Sequence, residues 1–215
     1  MKKAKAILFD LDGTLIDSAN GIYNSLYTIL KKYNIKPLID EINLKPFLGE
    51  GLMTLISKCN PKIQKLTLEE YTKEGLKHYT DTSIHYSTLF PETQIILHFL
   101  NENAIPWGIV TNKTRILALS IIPLISAYTK IPLIICADDT PFQKPSPKPL
   151  LIAAEKLKIK PSETIYLGDS IKDMQAANNA GMIPLIAKYG YISTDYKSWP
   201  HQGIINNLSN LKQWL

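Results

Sequence analysis

The chain has 215 residues, 45% of them hydrophobic and 20% charged, with a formal net charge of +5. That length suits one substantial core, or a core with a smaller satellite, and the composition is that of a globular protein rather than a disordered one. The positive charge is dispersed, since no lysine run exceeds the pairs Lys2-Lys3 and Lys31-Lys32, so no nucleic-acid-binding surface is expected.

Met1-Lys2-Lys3 has the charge of a secretory signal's start, but the apolar stretch behind it is cut at Asp10, too soon for an export segment. Cys59 and Cys136 are the two cysteines, far apart and without metal-ligand spacing. They indicate neither a disulfide framework nor a zinc site, and a cytoplasmic protein is expected. Ala6 to Phe9 is apolar without polar alternation, as in a strand buried on both faces of a parallel sheet. It ends in Asp10-Leu11-Asp12-Gly13, two carboxylates where strand gives way to loop, next to a glycine that permits a tight turn. Open α/β sheets bind ligands at the carboxyl ends of their strands. Two carboxylates there suggest a divalent cation with hard oxygen ligands of the kind Mg²⁺ prefers.

Ile22, Leu26, Ile29, Leu30 and Tyr33 then recur at helical spacing, with Asp17 or Ser18 as N-cap. From Pro37 to about Phe90 the pattern stays helical, with segments at Gly51 to Cys59 and Leu68 to Tyr86 and no strand between. An all-helical insertion over residues 15–89 is expected, splitting a core made of residues 1–14 and 90–215. Tyr71 and Tyr79 read as packing within it, with lining of a substrate entrance as the alternative. His78, His85, His98 and His201 lie at no metal-ligand spacing.

Past Phe90-Pro91, Ile95, Ile96, Phe99 and Leu100 mark an amphipathic helix, and Trp107 to Val110 a second strand ending in Thr111-Asn112-Lys113. Ile116 to Cys136 is long and apolar, but Pro123 and Pro132 break it. A helix from Thr114 to about Tyr128 and a strand from Leu133 to Cys136 explain it better than a membrane span. The loop Phe142-Gln143-Lys144-Pro145 leads to a helix that Ser146-Pro147 starts and that runs to about Leu157. Ile165 to Leu167 is a fourth strand, ending in Gly168-Asp169-Ser170. Its helix closes near Gly181, and Ser170 to Asp173 has capping-box spacing. Ile183 to Ala187 is a fifth strand and Leu208 to Leu215 a last short helix. Strands joined by helical crossovers make an α/β, doubly wound parallel sheet.

Such a sheet brings its strand ends to one edge: Asp10 and Asp12 from the first strand, Thr111 and Asn112 from the second, Asp169 and then Asp173 from the fourth, with Lys144 just before a helix start. An ionised carboxylate can attack phosphorus. It must approach a dianion, and a Mg²⁺ ion and a lysine would offset that repulsion while a hydroxyl and an amide fix the phosphate.

In this order the residues resemble the haloacid dehalogenase superfamily, and within it the phosphatases with a helical cap inserted after the first motif. The matching stretches are Asp10-Leu11-Asp12-Gly13-Thr14-Leu15, Val110-Thr111-Asn112, Lys144-Pro145-Ser146-Pro147 and Gly168-Asp169-Ser170-Ile171-Lys172-Asp173. The resemblance implies that Asp10 is the nucleophile, Asp12 the general acid and base, Thr111 and Asn112 phosphate binders, and Lys144 the neutralising lysine. Mg²⁺ would be held by Asp10, the Asp12 backbone carbonyl and Asp169, with Asp173 in support. Asp12 is expected to turn away from the metal, beside a negative charge that helps it keep a proton. Phe47-Leu48-Gly49-Glu50-Gly51-Leu52 looks like the cap motif of phosphoglycolate phosphatases. Tyr189-Gly190-Tyr191-Ile192, Trp199 and Trp214-Leu215 also resemble N-acetylmuramic acid 6-phosphate phosphatases.

The resemblance thus implies a Mg²⁺-dependent phosphomonoesterase acting on a small phosphorylated metabolite, foremost 2-phosphoglycolate, as a monomer or homodimer. Phosphosugar hydrolysis and phosphosugar mutation are the alternatives within the superfamily. A non-catalytic, receiver-like phosphate-binding module is the alternative outside it, and the long insertion and Asp12 count against that reading.

Overall fold

The computed structural model describes residues 3–192 and 195–215, so the Met1-Lys2 start lies outside the described residues. Its centre is β1 (Ala6–Phe9), with all four residues buried. Ile7 and Phe9 face one layer, and Phe9 meets the Trp107 ring edge-on at 6.4 Å. Leu8 faces the other, among Val110, Tyr166, Leu150, Ala153 and Ala176. Burial on both faces is why the segment shows no polar alternation.

The chain leaves the sheet through β2 (Ile16–Asp17) and a helical insertion of α1 (Ala19–Lys32), α2 (Glu41–Leu44), a 3₁₀ turn (Lys45–Glu50), α3 (Leu52–Cys59) and α4 (Lys65–Tyr86). It returns through β3 (Thr88–Leu89), which pairs antiparallel with β2. This small ribbon corrects the purely helical expectation for the region: two-residue strands carry no periodicity to detect. Within the insertion, Tyr33 and Tyr71 stack at 3.8 Å between ring centroids, and the Tyr33 hydroxyl donates to Glu74 at 2.6 Å.

Next come α5 (Thr93–Glu102), β4 (Trp107–Val110), α6 (Arg115–Leu119), α7 (Pro123–Ser126) and β5 (Ile134–Ile135). The single helix expected from Thr114 to Tyr128 is two short ones, because Pro123 cannot donate into a continuing ladder and begins a new helix instead. Then follow α8 (Lys148–Leu157), β6 (Thr164–Gly168), α9 (Ile171–Asn179), β7 (Ile183–Ala187) and β8 (Gly203–Ile205). At the start of α8 the Ser146 hydroxyl accepts the Lys148 N–H at 3.3 Å. β8 is an edge strand that the sequence pattern did not mark, and the expected last helix is a 3₁₀ turn, Leu208–Gln213.

The sheet runs β5-β4-β1-β6-β7-β8 with every neighbouring pair parallel. From β1 the chain builds β4 and β5 on one side, then crosses to β6, β7 and β8 on the other. The order reverses at β1, and helices that diverge there leave a crevice beyond its carboxyl end. Among the described residues no helix is long and apolar enough to cross a membrane.

Candidate active site

Asp10 follows β1 directly, and its N–H still donates to Leu167 O at 2.9 Å, so the adjacent strands hold its backbone in place. Its carboxylate meets Lys144, whose ammonium is almost fully enclosed. Nζ lies 2.8 Å from Asp10 Oδ1, 2.6 Å from Asp173 Oδ1, 2.9 Å from the Tyr166 hydroxyl and 3.2 Å from Val110 O. Tyr166 in turn donates to Val110 O at 2.7 Å. Burial works against the Lys144 charge, but Asp10 and Asp173 more than offset it and its pKa lies above the usual lysine value. Asp10 itself is pushed up to about 6 by burial, against the pull of Lys144. Tyr166 was missed by sequence reasoning. Its one signal is a hydroxyl in the middle of an otherwise apolar strand.

Asp173 carries a full capping box. Ser170 Oγ accepts the Asp173 N–H at 3.3 Å, and Asp173 Oδ2 accepts the Ser170 N–H at 2.9 Å. Its other oxygen takes Lys144, so both are engaged within the protein. Asp169 stands at the end of β6, with its Oδ2 accepting the Tyr191 N–H at 2.7 Å. Burial, then the charges of Asp10 and Asp173, push its pKa well above the carboxylate range.

Gly13 and Gly190 make this packing possible. Gly13 has φ +75°, and a Cβ there would lie 1.9 Å from Asp169 Oδ2; a Cβ on Gly190 would lie 2.2 Å from Gly13 O. Tyr189 and Tyr191 clasp the first motif from either side of Gly190. The Tyr189 hydroxyl donates to Thr14 O at 2.9 Å, and the Tyr191 hydroxyl donates to Asp17 Oδ1 at 2.8 Å while accepting the Ser18 N–H at 2.7 Å.

Asp12 turns away from this cluster. Its Oδ1 accepts from Lys113 Nζ at 2.9 Å and from the Ser18 hydroxyl. One expectation is narrowed here and another is corrected. Ser18 stands at the N-cap position of α1, but its side chain makes no cap bond because it is turned to Asp12; Asp17 Oδ1 accepts the Ala19 N–H at 3.2 Å instead. The charge beside Asp12 is an ammonium rather than a carboxylate, since the Lys113 side chain folds back across the strand end instead of pointing to solvent.

Thr111 is buried beside Asp10's strand, its hydroxyl accepting the Lys113 N–H at 3.1 Å. Asn112 spends its side chain on the Lys144 loop, donating to Lys144 O and accepting from Lys144 N, both at 2.9 Å. Asp10, Asp12, Thr111, Asn112, Lys144 and Asp169 all line one cavity of about 560 Å³. The insertion supplies its roof through Phe47 to Met53, Leu76 and Tyr79. Asp173 lies behind Lys144.

Carboxylate oxygens of Asp10, Asp169 and Asp173 come within 4.8 Å of one another, all three residues buried. With Lys144 the nearest cation, such a group is short of positive charge. Hard oxygen donors lacking compensation fit a small dication of the Mg²⁺ type.

Residues 7–187 match the sequence profile of the haloacid dehalogenase-like hydrolases. The chain belongs to that family. This hydrolase is 34% identical over 189 residues to a phosphoglycolate phosphatase of Xylella fastidiosa, covering 88% of this chain and 82% of the relative. An N-acetylmuramic acid 6-phosphate phosphatase of Pseudomonas aeruginosa is 27% identical over 191 residues, 88% of this chain and 84% of its own. A solved haloacid dehalogenase-like hydrolase structure from Bacteroides fragilis superposes with a TM-score of 0.85 at 29% identity, covering 97% of this chain and all of that one.

Proposed function

We propose that this phosphoric monoester hydrolase depends on Mg²⁺, works through an aspartyl-phosphate on Asp10, and acts on 2-phosphoglycolate. The observation that carries the reading is the buried Asp10–Lys144–Asp173 network beside Asp169, at a sheet edge that opens into a cavity. When bound by Asp10, the Asp12 carbonyl and Asp169, the metal would supply positive charge to the phosphate oxygens. Asp10 attacks phosphorus, and Lys144 offsets the repulsion between carboxylate and phosphate. The Thr111 hydroxyl and the backbone amides near it hold the phosphate. Asn112 contributes through the Lys144 loop that its side chain fastens. Asp12 protonates the departing oxygen and then takes a proton from the water that releases phosphate from Asp10. Lys113 and Ser18 keep its carboxylate on the leaving-group side.

Residues 15–89 act as the cap that closes over the site, and residues 1–14 with 90–215 as the catalytic core; the ribbon of β2 and β3, the two crossings between them, supports this division. The two free, buried cysteines are in keeping with a cytoplasmic enzyme, acting on a small phosphorylated metabolite as a monomer or homodimer. The roomy cavity and the Pseudomonas relative favour a phosphosugar as the second substrate class.

The roles of the two aspartates are tested with Asp10→Asn and Asp12→Asn. Asp10→Asn is expected to be inactive on every ester. Asp12→Asn is expected to fail on alkyl phosphates but to accept phosphate from p-nitrophenyl phosphate, whose leaving group needs little acid help, and then stall. Mass spectrometry after acid quench should find the adduct on Asp10. Phosphate on another residue, or wild-type turnover by Asp12→Asn, would overturn the mechanism. Steady turnover by wild type separates it from a receiver-like module, and release of free phosphate from a mutase.

A further inference from the structure

We propose that Lys113 and Tyr79 together recognise a carboxylate on the substrate, placed one or two carbons from the ester oxygen; the assignment rests on the reading of this site as a phosphomonoesterase for an acid such as 2-phosphoglycolate. Lys113 belongs to the core and Tyr79 to α4 of the insertion, 34 residues earlier in the chain. They meet at the cavity wall, with the ammonium 4.5 Å from the Tyr79 ring centroid.

Neither group is satisfied by the protein alone. Tyr79 is 3% exposed, and its hydroxyl makes no hydrogen bond of good geometry among the described residues, although Lys113 and Ser18 stand close to it. Buried hydroxyls are almost always paired, so an unpaired one lining a cavity marks the place of a ligand atom. Lys113 has three hydrogens: Asp12 accepts one, the Tyr79 oxygen offers a second only a loose contact, and the third is left for a ligand. Both residues therefore present donors to the same space, and the group that satisfies an ammonium and a phenol together is an anionic acceptor.

The position selects which anion. Lys113 Nζ is 2.9 Å from Asp12 Oδ1, and an acid must stand within about 3 Å of the oxygen it protonates, which brings the ammonium within about 6 Å of the ester oxygen. A carboxylate on the adjacent carbon spans that distance. Elsewhere the lining has Leu48, Leu52, Met53 and Leu76, which are apolar, Glu50, which repels it, Lys144, which is committed to Asp10 and Asp173, and Lys172, which is solvent-exposed and has no tie to Asp12. A leaving group whose carboxylate lies many atoms from the phosphate gains nothing at Lys113.

The test measures affinity rather than turnover. In saturating Mg²⁺, calorimetric titration compares 3-phosphonopropionate, the non-hydrolysable isostere of 2-phosphoglycolate, with propylphosphonate, which lacks the carboxylate. Wild type should prefer the first, and Tyr79→Phe and Lys113→Met should each lower that preference about tenfold or more, the effect of losing a hydrogen bond to a charged group. Tyr79→Phe removes one oxygen atom that makes no well-formed hydrogen bond among the described residues, so it tests the assignment even if Lys113→Met does not fold. A wild-type preference that survives Tyr79→Phe overturns the assignment and leaves the substrate reading standing. Equal loss on both ligands marks a structural role and also overturns it. No preference in wild type overturns the small-acid substrate and the assignment together.

Discussion

Replacing Lys144 by methionine keeps the side chain's length and removes its charge. The side chain is 3% exposed and its ammonium faces the carboxylates of Asp10 at 2.8 Å and Asp173 at 2.6 Å. Each charge-assisted bond is worth roughly 1.5–3 kcal/mol net, and removing one partner of a buried pair costs ~3–5 kcal/mol because the other charge is left uncompensated. With a urea m-value of roughly 2 kcal/mol/M, the unfolding midpoint in chelator should fall by about 2 M. On the proposed mechanism the ammonium also offsets the charge of the incoming phosphate, so kcat/KM should drop on the order of 10²–10³. Lys144→Arg should rescue little, because Val110 O, the Tyr166 hydroxyl and two carboxylates enclose a point charge and leave no plane for a guanidinium. In the double variant Lys144→Met with Asp173→Asn, the excess negative charge is reduced, and about 1–2 kcal/mol of the loss should return. Urea titrations of wild type, the single and the double variants in EDTA provide the measurement. A single variant within about 0.5 M of wild type, with a double variant no better, would show that the lysine offsets no buried charge.

The carboxylate cluster also sets a pH dependence in the metal-free protein. Burial raises Asp10 to about 6 and lifts Asp169 well above the carboxylate range, against an unfolded value of about 3.9, so the folded state holds the extra protons. The stability these groups confer is complete below about pH 4 and lost as pH rises through their folded-state values, about 6 for Asp10. In EDTA, the urea midpoint of wild type relative to Asp169→Asn should therefore fall between pH 4 and 7, and saturating Mg²⁺ should flatten the trend; a rising difference would refute it. Gly190→Ala should destabilise by about 1–3 kcal/mol and weaken Mg²⁺ binding, since the new methyl meets Gly13 O at 2.2 Å and Asp169 Cβ at 2.5 Å. Thermal unfolding with and without Mg²⁺ checks it, and an unchanged melting temperature would mean the two loops can part freely.

Local pattern was enough for the centre of the sheet. Ala6–Phe9 and Trp107–Val110 are strands over the spans that their apolar runs indicated, and Ile183–Ala187 likewise, because burial on both faces leaves a signal within four or five consecutive residues. The parallel topology then obliges Asp10, Thr111 and Asp169 to share an edge, wherever the helices between them lie. The two-residue strands of the insertion's ribbon and the edge strand β8 were not legible, for their pairing lies in a distant partner rather than in their own composition. The same holds at the site. Nothing near Lys113 in the chain announces that its ammonium binds Asp12, 101 residues away, or that Tyr79 from the insertion lies beside it. Tyr191 reads as a tail residue until its hydroxyl is found between Asp17 and Ser18, and its N–H on Asp169. The sequence by itself determined five of the six strands of the parallel sheet, their order of chemistry and the family's four motifs. Only the tertiary structure decided which side chains support those motifs, because hydrogen bonds and charge pairs depend on distance in space and a side chain's partner need not lie near it in the chain.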